Sequence, residues 1–143
     1  MKRLGISCVM LSLFLAGCND GRTAEQKALE QEVMEFSKAI TARGDMTRKS
    51  ADAANVAERK MNELKGKKLE KFTCTKTGMA CTTNDKKFHY EISLYPDKFL
   101  SLNAREGDKI TFTGSITRID TGIGSATVWA VVDAESDVVV TAK

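Results

Sequence analysis

The sequence predicts an α+β chain, a helical N-terminal section followed by a small five-stranded antiparallel β-barrel. Three observations carry this expectation. Apolar residues recur at steps of three and four up to Leu64 and at steps of two beyond Gly66, a switch from helical to strand period. Gly114 interrupts a long alternating run, the mark of a bulge or sharp bend that lets one strand serve two parts of a curled sheet. An irregular connector after the third strand completes the pattern of a sheet that curls into a barrel.

In chain order, Lys2 and Arg3 give a positive start, and Leu4 to Ala16 form an apolar run too short to span a bilayer comfortably as a helix. Leu15-Ala16-Gly17-Cys18 closes that run. The tetrad and its flanks resemble the lipobox of bacterial lipoproteins, which is cut at the Gly-Cys bond. The resemblance implies a signal peptide over residues 1–17 and a mature chain that begins at Cys18. It also implies diacylglycerol and a further acyl group such as palmitate on Cys18. Several acyl chains hold firmly where one holds reversibly, each buried methylene contributing about 0.8 kcal/mol. The expected partner is therefore a membrane, met through an anchor, because no later stretch approaches the ~20 apolar residues of a spanning helix. Among such lipoproteins an aspartate directly after the lipidated cysteine favours the inner membrane. Asn19 holds that position and Asp20 follows, which favours the outer membrane, facing the periplasm. An ordinary secretory signal with a chance cysteine, or an uncleaved anchor, is the competing reading.

Residues 18–23 form a short lipidated tether. Thr23-Ala24-Glu25-Gln26 then reads as a capping box, with the Thr23 hydroxyl accepting an amide proton and Gln26 reaching back. Leu29, Val33, Phe36 and Ile40 make one apolar stripe, and Arg43-Gly44 reads as the stop, with the glycine left-handed. A second helix is expected from Asp45 or Thr47, with Ala54, Ala57, Met61 and Leu64 as its stripe. One bent helix fits as well as a hairpin. The eight basic and eight acidic residues interleaved over 24–65 describe a solvated helical spacer with one narrow seam. A partner-binding coiled coil is the alternative.

The barrel region is 66–143. Its first strand runs Lys68 to Thr77, with Phe72 and Cys74 on one face, and a turn at Gly78-Met79-Ala80 leads to Cys81 on the return. Phe88, Tyr90, Ile92 and Leu94 alternate with His89, Glu91, Ser93 and Tyr95, and Pro96-Asp97 ends that strand. Phe99, Leu100 and Leu102 sit in the connector and are expected to plug one end of the core. Lys109 to Asp120 forms the long strand, Thr121-Gly122-Ile123-Gly124 a hairpin loop, and Ser125 to Asp133 the return, with Val138 to Thr141 left to close an edge. Two stretches resemble the OB-fold family called tRNA-anticodon-binding-like. They are Lys65-Gly66-Lys67-Lys68 entering a strand, and Glu106-Gly107-Asp108-Lys109-Ile110-Thr111-Phe112-Thr113-Gly114-Ser115-Ile116. The resemblance covers roughly residues 62–140 and implies an OB-like barrel. It bears on fold far more than on function.

Cys8 would leave with the signal and Cys18 is committed to lipid, so Cys74 and Cys81 remain as an even pair in an oxidising compartment. A disulfide closing that short loop would contribute somewhat under ~3 kcal/mol in the chain-entropy picture. A metal site using Cys74, Cys81 and His89 is the competing reading.

Removing residues 1–17 leaves 126 residues with 20 basic and 19 acidic side chains, a balance of +1 that argues against a nucleic-acid partner. No enzyme is expected. The single imidazole, His89, lies on the outward phase of its strand, and no nucleophile motif or phosphate-cradling glycine loop accompanies it. No cofactor is implied. Binding fares better. The stretch 66–88 carries six lysines and two acids, whereas 89–143 carries five basic and eight acidic residues. Lys67, Lys68, Lys71, Lys76, Lys86 and Lys87 could thus attract an anion, or simply keep a strand edge soluble. Trp129 and Tyr95 are the outward aromatics available for stacking. The favoured expectation is a non-enzymatic accessory module docking on an envelope protein, assisting a complex, inhibiting an enzyme or excluding a mobile element. A small-ligand or anion-binding module on the lysine face is the alternative, and an enzyme using His89 a weaker one.

Overall fold

A computed structural model describes residues 20–96 and 98–143; the signal-like segment, and Cys18 with it, lie outside them. Helix α1 spans Ala24–Thr41, a 3-10 turn covers Ala42–Asp45, and α2 spans Arg48–Glu63. Six strands follow: β1 Lys68–Thr77, β2 Ala80–Thr82, β3 Phe88–Leu94, β4 Lys109–Gly122, β5 Ser125–Val132 and β6 Val138–Thr141.

The two helices start where side-chain caps permit. Thr23 accepts from the Gln26 amide at 3.1 Å, and Thr47 and Ser50 form a reciprocal box at the head of α2. The break between the helices resolves the choice between a bent helix and a hairpin in favour of two helices. The left-handed residue there is Met46, at φ 55, and Gly44 is not, which corrects the expected stop. Helix α1 packs on α2, and Leu29, Val33 and Met61 belong to the same apolar cluster as Phe72, Phe112 and Val128 of the sheet. Helices and sheet therefore share one core.

The sheet holds six strands where five were expected, in a mostly antiparallel arrangement that includes a parallel pair, β3 with β5. Pairings run β1–β2–β3–β5–β4 and return from β4 to β1, so the sheet forms a partly closed ring. Val138 to Thr141 closes an edge as expected, as β6, and β4 makes room for it. At Lys109–Phe112 this strand has β1 on one edge and β6 on the other, and from Ser115 to Gly122 it pairs with β5. Gly114 lies where β6 gives way to β5. A Cβ there would collide with the backbone carbonyl oxygen of Val131, so only glycine admits the approach. Two bulges add curl. Between the Leu69–Gly114 and Phe72–Phe112 pairs, Glu70 and Lys71 together oppose Thr113 alone, with Lys71 at φ 53, and Thr117 is the surplus residue opposite β5.

Inside the ring Phe72, Tyr90 and Phe112 meet edge to face, with centroids 5.6 to 6.3 Å apart. Of the connector residues, Leu100 is buried and Leu102 half-buried, while Phe99 is 91% exposed and takes no part in the plug. No helix among the described residues is long and apolar enough to cross a membrane.

Candidate functional site

Cys74 of β1 and Cys81 of β2 form a disulfide, with Cα atoms 5.4 Å apart and both residues buried. Their sulfur atoms are joined to each other, so the metal site with His89 lacks its two thiolates. His89 itself is half-buried on β3, flanked by Thr82 and Thr127.

Beside the cystine lies a cleft of about 390 Å³. The β1–β2 hairpin forms one wall, where the two-residue turn puts Gly78 at φ 60 and leaves Met79 99% exposed. The connector forms the other, with Phe99 at its rim and Leu100 and Leu102 below. Residues 90–93 of β3, Ile110 of β4 and Trp129 of β5 also line it. The indole is already engaged. Its Nε1 donates to Asp120 at 3.0 Å, and the Arg118 guanidinium lies 4.4 Å over the ring while donating to the same carboxylate. Tyr95 is exposed in the turn after β3 and does not line the cleft.

Of the lysines, only Lys76 reaches the cleft. Lys67, Lys68 and Lys71 are exposed near the start of β1, with Lys68 3.4 Å from Glu70 and the Lys71 amide donating to Thr113. Lys86 and Lys87 are exposed in the β2–β3 turn. Eight residues of extended chain separate Lys68 from Lys76, about 25 Å at strand rise, so these lysines divide between two ends of β1.

The sequence reading missed a buried polar cluster at the mouth of the ring. Strand β2 reaches only Thr82, opposite Thr75, and the edge of β1 at Thr73 has no strand beside it. The Gln26 side-chain amide takes that place: its Nε2 donates to the Thr73 carbonyl at 2.8 Å and its Oε1 accepts from the Thr73 amide at 2.8 Å. Gln26 therefore does not reach back to cap α1. Its Nε2 also donates to Glu30, which accepts from the Tyr90 hydroxyl at 2.6 Å and from Arg22 at 2.6 Å. Arg22 further contacts Asp20 at 2.7 Å and Asp85 at 3.5 Å. No buried side-chain nitrogen or oxygen among the described residues lacks a partner.

Burial, then the adjacent Glu30 carboxylate, pushes the Tyr90 phenol well above its ordinary value. For Asp20 burial acts upward, but hydrogen bonds from the Arg22 backbone and guanidinium prevail and hold the carboxyl below its usual range. Asp85 is likewise held low: burial again acts upward, and bonds from Thr83 and the Lys87 amide outweigh it. Burial disfavours the Arg22 cation, yet Asp20 and Glu30 outweigh it and raise its pKa.

One sequence signal pointed at this cluster. A tyrosine on the inward phase of a strand needs a partner for its hydroxyl, and Glu30 falls next to Leu29 on the buried side of α1. Comparison of the chain with protein families, curated proteins and solved structures finds no match.

Proposed function

We propose that the chain is a lipid-anchored envelope lipoprotein whose sheet docks on a protein partner and catalyses no reaction. The observation that carries this reading is the cleft rimmed by Met79 and Phe99, two large apolar side chains held almost fully in solvent beside a rigid, disulfide-bonded hairpin. Flexible methionine and rigid aromatic side chains at a rim suit a protein surface. Supporting the compartment is the cystine, a bond that exported chains form and keep. The pairing circuit β1–β2–β3–β5–β4–β1 supports an OB-like barrel with β6 added outside it.

On this reading residues 1–17 are removed, Cys18 carries the acyl groups, 18–23 is the tether, and the helices of 24–65 precede the barrel of 66–143. Asn19 after Cys18 directs the protein to the outer membrane. The partner is an envelope protein, whether a complex to be assisted, an enzyme to be inhibited or an entry apparatus to be blocked.

A photo-crosslinking residue at position 99 of the full chain in intact cells tests the docking. The expected result is one adduct that survives 0.5 M salt, disappears with Met79→Asp and is unchanged by His89→Ala. An adduct formed instead from position 68 or 86 and lost in salt would favour the anion-binding alternative on Lys67, Lys68, Lys71, Lys86 and Lys87.

A further inference from the structure

In the sequence only Asn19 lies between Cys18 and Asp20, and Asp20 is held by Arg22. Asp20 and Arg22 are tied to each other and to Glu30, and the Gly21 carbonyl lies 3.4 Å from the Thr73 hydroxyl. Two peptide units span at most ~7 Å, so the Cα of Cys18 stays within that distance of Asp20 whatever path the chain takes. Of the stretch 18–23, the covalent reach from Cys18 to the bound residue Asp20 is therefore no more than two peptide units. If Cys18 carries the acyl chains, on which reading this inference rests, the surface around Asp20 is brought to the lipid headgroups.

That surface carries lysines from three elements, of which Lys109 of β4 lies beside Gly21. Lys27 of α1 places Nζ 3.8 Å from Asp20. The β2–β3 turn is drawn to the same place by the Arg22–Asp85 pair and presents Lys86 and Lys87, both exposed. Asp20, Glu30 and Asp85 all face Arg22, and no ion pair to Lys86 or Lys87 is seen among the described residues. We propose that this face rests on the bilayer, with Lys27, Lys86 and Lys87 against anionic phospholipid headgroups, so that the anchor fixes the orientation of the domain as well as its location. The opposite end of α1 is about 27 Å away, 18 residues at 1.5 Å each, and Lys49 lies beyond it.

The test is amine acetylation read by peptide mass spectrometry on the full lipidated chain. The chain is placed in phosphatidylcholine vesicles with and without 30% phosphatidylglycerol. Intact mass and flotation on the neutral vesicles first report the anchor. A chain that lacks acyl groups removes the anchor and this inference together. With the anchor present, phosphatidylglycerol should slow acetylation of Lys86 and Lys87 about fivefold and of Lys27 similarly, leaving Lys49 unchanged. Lys86→Gln/Lys87→Gln should still float and should lose the protection at Lys27. A chain that floats but shows equal rates at all four lysines, or protection of Lys49 as strong as that of Lys86, overturns the orientation while leaving the anchor intact.

Discussion

The side-chain amide of Gln26 satisfies both backbone groups of Thr73 in a place where a strand of three residues, β2, runs out. Leucine there would keep the volume and leave the Thr73 N–H and C=O buried without partners. At about 1–3 kcal/mol for each orphaned group, Gln26→Leu should lower the urea-unfolding free energy by roughly 2–5 kcal/mol. An exposed exchange on the same helix, Glu25→Gln, should stay within about 0.5 kcal/mol and serves as control. The pKa directions give the same cluster a signature in pH. Tyr90 is raised, so its contribution is complete below about pH 10 and is lost as pH rises through the higher folded value. Asp20 and Asp85 are depressed, so theirs is complete above about pH 4 and is lost as pH falls through the lower folded values. Tyr90→Phe should therefore remove the alkaline slope of stability while leaving the acid slope, measured by denaturant melts from pH 3 to 11. An unchanged alkaline slope would show that Tyr90 is not its source.

Among the elements, β4 is the one on which the sheet turns. It carries β1 throughout its first half, trades β6 for β5 near Gly114, and can do so only because the Val131 carbonyl meets no Cβ there. Gly114→Ala should cost about 1–3 kcal/mol, as overpacking of a closed site does, whereas Gly44→Ala, with open space around it, should be neutral or stabilising. Equal effects in thermal melts would contradict the close approach. This bend was legible in the sequence because a glycine within the alternating run Lys109 to Asp120 gives up a side chain that the strand would otherwise pack. The alternation of Phe88 to Leu94 and the Cys74–Cys81 pairing were legible because both are local patterns. Val138 to Thr141 was legible as a closing edge strand, but the strand it joins was not, because it finds its place only through the half of β4 that β5 leaves free. Gly44 misled because the left-handed turn fell two residues later, on Met46. Gln26 misled because its capping role and its bond to a strand 47 residues away use the same side chain, and only tertiary packing decides between them.

At the scale of the molecule, one core joins two helices to a ring of strands, and the N-terminal residues Asp20 to Arg22 are locked into that unit through Glu30 and Asp85. Met79 and Phe99 stand exposed at the rim of the cleft, and on the proposed reading they meet the partner. The lysines, counted along the sequence as one basic stretch, separate in space because a strand of ten residues carries its ends apart. Sequence reasoning could find their number and had no means to find that division. On the proposed reading, the placement of the whole unit hangs on Cys18. Intact mass spectrometry of the protein extracted from cell membranes tests this most directly. The expected species begins at Cys18 and carries diacylglyceryl and acyl groups on that residue. A species that retains Met1 and has an unmodified thiol at Cys18 would contradict it.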